Sequence, residues 1–208
     1  MALNFKQVHK HLQKVTPPRP AVLQEMERLA LKEDFPIIGP LVGRFLYQLV
    51  KLTKAKRVFE LGSGYGYSAM WFALALPKEG KVCCTDEEVH NRDRALRFFK
   101  KAGLSPKLNF LVGDGVGLLK KQKEKFDIIL NDIDKKDYPS ALRAAIPKLN
   151  KGGVLVTDNL LRDGKIFDRR KDPGTKGVLS YTRMIYSDQR LFSTVMPVRD
   201  GISISIKL

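Results

Sequence analysis

The stretch Arg57-Val58-Phe59-Glu60-Leu61-Gly62-Ser63-Gly64-Tyr65-Gly66-Tyr67-Ser68, followed by the apolar run Ala69 to Leu76, decides the fold. Its first five residues read as a short buried strand. Three alternate glycines then allow a tight turn and let a ligand approach the backbone. Tyr67 to Leu76 reads as the helix that the turn opens. The spacing is GxGxG rather than the GxGxxG of dinucleotide binders. Glu60 stands directly ahead of the turn, where its charge repels a pyrophosphate and attracts an ammonium or sulfonium group.

Downstream the same alternation repeats. Lys81 to Thr85 reads as a second strand and Glu88 to Ala102 as a charged amphipathic helix stopped by Gly103. Leu108 to Val112, Phe126 to Leu130 and Val154 to Thr157 are three more apolar runs of strand length, separated by helical stretches at 116–123 and 138–149. Strands alternating with helices predict right-handed βαβ units and an α/β doubly wound, mainly parallel sheet with helices on both faces. At the end, Leu191 to Val198, the turn Arg199-Asp200-Gly201 and the alternating Ile202, Ile204, Ile206 and Leu208 predict an antiparallel hairpin. That makes seven strands. Upstream, residues 1–56 read as helical, with apolar stripes at Val8, Leu12 and Val15, at Leu23, Met26, Leu29 and Ala30, and at 41, 42, 45, 46, 49 and 50. Breaks fall at Pro17-Pro18-Arg19-Pro20, Pro36 and Pro40.

The length of 208 residues suits one domain, with 1–56 as a helical segment and 57–208 as the α/β core. The longest apolar run, Ala69 to Leu76, is far short of a membrane span, and MALNFKQVHKHLQKV has no signal-peptide h-region. The two cysteines, Cys83 and Cys84, are adjacent, so neither a disulfide framework nor a zinc cluster is indicated. The expected compartment is the cytoplasm. The formal net charge of +16 favours acidic partners, tRNA among them, although the basic residues are dispersed and no RNA-binding motif accompanies them.

Acidic and amide residues cluster at the predicted strand ends. Asp86 ends the second strand, where a carboxylate can take both ribose hydroxyls of NAD or of S-adenosylmethionine. Gly113-Asp114-Gly115 follows the third strand, placing a carboxylate for an adenine amino group or simply making a turn. Strand four runs into Asn131-Asp132-Ile133-Asp134-Lys135-Lys136-Asp137-Tyr138 and strand five into Asp158-Asn159. In an open parallel sheet ligands bind beyond the carboxyl ends of strands, so Asp132, Asp158 and Asn159 are expected side by side. Two carboxylates and an amide oxygen suit Mg²⁺, with Mn²⁺ or Ca²⁺ as alternatives.

Taken together, ELGSGYGYSA, Asp86, NDIDKKDY, TDN and the terminal PVRDGISI resemble the cation-dependent O-methyltransferases, the group of catechol and caffeoyl-CoA O-methyltransferases and their bacterial relatives. The resemblance implies a class I methyltransferase fold with S-adenosylmethionine as methyl donor. It implies cofactor contacts at Glu60, Gly62, Ser63, Ser68, Asp86, Gly115 and Asp134. It implies metal ligands at Asp132, Asp158 and Asn159, a general base at Lys135 with Lys136 as its immediate competitor, and a homodimer. Two departures stand out. Asn131 occupies a position that is usually apolar in the family. The stretch Leu160 to Gly177, expected to border the acceptor, carries Arg162, Lys165, Arg169, Arg170, Lys171 and Lys176 with Phe167 as its only aromatic residue. An acidic or large acceptor follows from that composition. The expected reaction is methyl transfer to a hydroxyl of a catechol-like small molecule. The alternatives are a methyltransferase acting on a hydroxylated uridine of tRNA and a non-catalytic binding module that retains the fold.

Overall fold

The structure, a computed structural model, describes residues 5–208. The expected N-terminal helical segment therefore lies outside the described residues at positions 1–4. Three helices precede the sheet: α1 (Phe5–Val15), α2 (Ala21–Glu33) and α3 (Gly39–Thr53). Pro20 precedes α2 and Pro40 sits in the first turn of α3, where a missing backbone N–H is harmless.

The core then alternates β1 (Arg57–Leu61), α4 (Tyr67–Ala75), β2 (Lys81–Asp86), α5 (Val89–Lys101), β3 (Leu108–Val112), α6 (Gly115–Lys121), β4 (Phe126–Asn131), α7 (Tyr138–Lys148) and β5 (Leu149–Thr157). It closes with α8 (Pro173–Ser187), β6 (Leu191–Met196) and β7 (Ile202–Lys207). The seven strands are ordered β3-β2-β1-β4-β5-β7-β6. β1 to β5 are parallel, and β7 inserts antiparallel between β5 and β6. The doubly wound sheet and its C-terminal hairpin match the sequence expectation.

Two cores flank the sheet. Val58, Val82, Ile128, Leu130 and Val156 point to the face covered by α2 to α5, and Phe59, Leu61, Ile129 and Leu155 to the face covered by α6 to α8. Burial on both faces explains why the strands read as continuous apolar runs rather than alternating ones. α4 is buried nearly all round, from Tyr67 to Ala75, which is why it carries no polar stripe.

The structure differs from expectation in two places. β5 begins at Leu149 rather than Val154, because Gly152, at φ 75°, and Gly153 form an irregular entry that shifts the register against Phe126. α8 has no counterpart in the sequence reading. Two glycines and several β-branched residues weaken its intrinsic propensity; packing of Val178, Tyr181 and Ile185 into the second core holds it. Among the described residues, no helix is long and apolar enough to cross a membrane.

Candidate active site

The strand order reverses at β1, whose neighbours are β2 and β4. Chains leaving β1 and β4 therefore diverge and open a crevice at the carboxyl edge. A cavity of about 760 Å³ fills that crevice. Gly62, Ser63, Ser68, Asp86, Gly115, Asp132, Asp134, Lys135 and Asn159 all line it. The two remaining predicted site residues, Glu60 and Asp158, are not part of its wall; both are buried.

The glycine turn is pinned from below and from the side. Gly62 has φ 77°, and a side chain there would strike the Asp132 carbonyl at 2.6 Å, so only glycine lets β1 and β4 end this close. Ser63 N donates to Thr85 O (2.8 Å), and Gly64 N donates to Asp86 Oδ2 (2.9 Å). The other Asp86 oxygen accepts from Glu88 N (3.0 Å) and Asn91 Nδ2 (2.9 Å). This fixes the carboxylate at the cavity wall with lone pairs to spare. Glu60 accepts hydrogen bonds from the hydroxyls of Ser63 (2.7 Å) and Ser68. Burial pushes its carboxyl up to about 7, and the two serine hydroxyls pull the other way. Asp114 accepts from Val116 N (3.1 Å) and Gly117 N (2.9 Å) and so serves as the N-cap of α6, the turn reading of that motif.

Beyond β4, Asp134 caps a short 3-10 turn, Lys135–Asp137. The turn separates the two lysines. Lys135 faces the cavity at 20% side-chain exposure, with Nζ 3.1 Å from Asp132 Oδ1 and above the Tyr138 ring. Lys136, at 59%, pairs with Asp134 at 3.2 Å on the surface. Asp158 is 1% exposed; its Oδ1 accepts from Asn159 N (2.8 Å), while Oδ2 has no hydrogen-bond partner. Asn159 adopts φ 60° and donates through Nδ2 to Asp200 Oδ2 (3.2 Å), which leaves Oδ1 as the end free to meet a cation. Burial raises the carboxyls of both Asp132 and Asp158, and their mutual repulsion adds to the rise at Asp158. Among the described residues no three His, Cys, Asp or Glu side chains gather into a metal cluster. The donor set is two carboxylates and one amide. A buried carboxylate oxygen with no hydrogen bond, only a loose ion pair to Arg199, beside a second destabilised carboxylate fits a hard divalent ion.

Four features of the cavity and its supports were not assigned from the sequence. Phe35, Pro36, Ile37 and Ile38, between α2 and α3, line the cavity and cover the glycine turn, with Phe35 and Tyr65 rings 4.8 Å apart. Tyr138 donates its hydroxyl to the Asp158 carbonyl (2.9 Å) and so ties α7 to the end of β5. Gly177 in α8 lets that helix lie on the backbone of Lys135; an added Cβ would sit 2.2 Å from the Lys135 carbonyl. With no helix expected around it, this glycine gave no signal in the sequence. Arg199 also lines the cavity, with Nη1 3.5 Å from Asp158 Oδ2. Asn131, the family departure, is wholly buried below the site, and neither side-chain polar atom has a partner.

A smaller polar cavity of about 190 Å³ shares Lys135 and Asn159 with the first and adds Arg162, Asp163, Lys165 and Asp200. The basic stretch after β5 thus reaches the site at two of its six cations.

The sequence profile of a family described as O-methyltransferase matches residues 13–208. A catechol O-methyltransferase of Niastella koreensis is 29% identical over 179 residues, covering 81% of each chain. A caffeoyl-CoA O-methyltransferase of Zinnia elegans is 32% identical over 205 residues, covering 91% of this chain and 84% of the relative. Among solved structures, an O-methyltransferase from Bacillus cereus in complex with SAH superposes with a TM-score of 0.88 at 25% identity, covering 97% of each chain.

Proposed function

The chain belongs to the O-methyltransferase family and is an S-adenosylmethionine-dependent enzyme; on that premise we propose that it methylates a hydroxyl of a catechol-like acceptor with the help of a divalent cation. The observation that carries the proposal is the convergence of Asp132, Asn159 and Lys135 in the cavity wall, with Asp158 directly behind, beside the glycine turn. The names of the catechol and caffeoyl-CoA relatives support the acceptor class. The whole chain acts as one methyltransferase domain.

In this reading Gly62, Ser63, Ser68, Asp86, Gly115 and Asp134 hold the methyl donor, which supplies an electrophilic methyl group on a sulfonium. Asp86 takes the ribose hydroxyls. Glu60 acts from beneath by orienting the Ser63 and Ser68 hydroxyls. Asp132, Asp158 and Asn159 would hold the cation, which would supply Lewis-acid stabilisation of the acceptor's developing oxyanion. The neutral amine form of Lys135, positioned by Asp132 and Tyr138, receives the hydroxyl proton as the acceptor oxygen takes the methyl group and the donor's sulfur keeps the bonding pair. The cavity aligns acceptor and donor for in-line displacement. In the side cavity Arg162 is held by Asp172, and Asp163 and Asp200 share the wall, so Lys165 is the residue that would meet an acidic group on the acceptor.

A second reading, methylation of a hydroxylated uridine in tRNA, is favoured by the net charge of +16. One assay separates them: labelled S-adenosylmethionine offered to a catechol panel and to total tRNA, with and without EDTA. Label transferred to a catechol and abolished by EDTA supports the first reading. Label on tRNA alone overturns the acceptor assignment.

A further inference from the structure

The proposed cation site already contains its own positive charges. Asp132 is paired with Lys135 at 3.1 Å and Asp158 with Arg199 at 3.5 Å, so the four groups balance without any ion. The two pairs differ in access. Asp132 itself lines the cavity, whereas Asp158 does not; Arg199, 33% exposed, lines it in front of Asp158. The contact is loose, since Asp158 Oδ2 gains no hydrogen bond from it.

The backbone that presents Arg199 is held in place. Arg199 has φ 53°, a left-handed conformation that side chains rarely adopt, and such a residue is a pointer to function when its surroundings enforce it. Here they do. Asp200 accepts from Asp163 N (2.6 Å) and Asn159 Nδ2 (3.2 Å), Leu161 N donates to Asp200 O (2.8 Å), and Leu160 N donates to Gly201 O (3.0 Å). The β6–β7 turn is therefore stapled to the segment after β5, while the Arg199 side chain, part-exposed and 3.5 Å from Asp158, takes no part in those bonds.

We propose that Arg199 is a built-in counter-cation that occupies Asp158 in the metal-free protein and must swing away from it before a divalent ion can bind. The inference rests on the proposed cation site. A dication beside Asp158 and a guanidinium within a few ångströms of the same oxygen repel one another. Arg199 consequently weakens the site, and the empty site does not leave Asp158 as a bare buried anion.

The test is Mn²⁺ binding by calorimetry and electron paramagnetic resonance, without acceptor, on the wild type, Arg199→Gln, Arg199→Gly and Arg199→Lys. The neutral variants should bind Mn²⁺ on the order of tenfold tighter, and Arg199→Lys should stay near the wild type. Glycine also relieves the left-handed backbone, so at least one neutral variant is expected to fold. A second measurement uses the wild type alone. Modification of Arg199 by phenylglyoxal, followed by mass spectrometry, should speed up when Mg²⁺ is added. Unchanged or weaker Mn²⁺ binding in both neutral variants, or no effect of Mg²⁺ on Arg199 reactivity while Mn²⁺ binds, overturns the inference and leaves the cation site standing. Absence of Mn²⁺ binding in every protein overturns the cation site and the inference together.

Discussion

Glu60 is a carboxylate with no water contact, held by two serine hydroxyls under the glycine turn. Burial lifts it from 4.5 to about 7. Between those values the folded protein keeps a proton that the unfolded chain has lost. Its contribution to stability is therefore full below about 4.5 and declines as pH rises to about 7. Glu60→Gln carries no such charge. Relative to the wild type it should gain roughly 1–3 kcal/mol on going from pH 5 to pH 8. Denaturant melts of both proteins at the two pH values check this; parallel pH profiles contradict it. A second residue-scale prediction concerns the two lysines. Lys135→Ala should lower turnover ~10²–10⁴-fold. Lys136→Ala should change it little, since Lys136 lies on the surface beside Asp134. Steady-state kinetics on the acceptor that the labelling assay identifies decides, and equal losses at both positions refute the base assignment.

At the scale of elements, the site depends on how closely α8 and the Lys135–Asp137 turn approach each other. Gly177→Ala places a methyl group against the Lys135 carbonyl. It should cost roughly 1–3 kcal/mol of stability by overpacking and reduce turnover by moving Lys135. A wild-type melting curve with wild-type kcat contradicts that role. The same helix shows where sequence reading stops. The β1 turn, Asp86 and the ends of β4 and β5 were legible because each lies at a strand terminus, and a parallel sheet brings strand termini together. Lys135 and Lys136 were separable only through the resemblance; the 3-10 turn supplies the physical reason. Gly177, Phe35 to Ile38 and Arg199 meet the site through loops and helices distant in sequence. No periodicity records which loop lies against which strand end. Arg199 looked like one residue of a turn, and neither its left-handed backbone nor its place before Asp158 could be read from the letters Arg-Asp-Gly. α8 was missed because Pro173, Gly174 and Gly177 open it and read as a loop, and packing rather than propensity forms it.

At the scale of the whole molecule, the charge of +16 is spread over the chain rather than gathered on one element. Binding to bulk tRNA should accordingly be weak and fade between about 50 and 200 mM salt. Tight binding that persists at the higher salt favours the tRNA reading. The homodimer that the resemblance implies would cover apolar side chains such as Leu12, Val15, Leu31 and Leu52, which stand exposed on α1 to α3. Light scattering should give twice the 23.5 kDa chain mass, and a value of one chain mass at micromolar concentration argues against it. The central claim is that one crevice holds two separable functions, donor binding chiefly at the ends of β1 to β3, with Asp134 beyond β4, and cation-assisted chemistry at the ends of β4 and β5. Asp158→Ala tests it most directly, because Asp158 belongs only to the second. Calorimetry with S-adenosylhomocysteine and turnover with Mg²⁺ are measured on the same preparation. The account predicts donor binding close to the wild type and turnover abolished; turnover retained at the wild-type rate would contradict it.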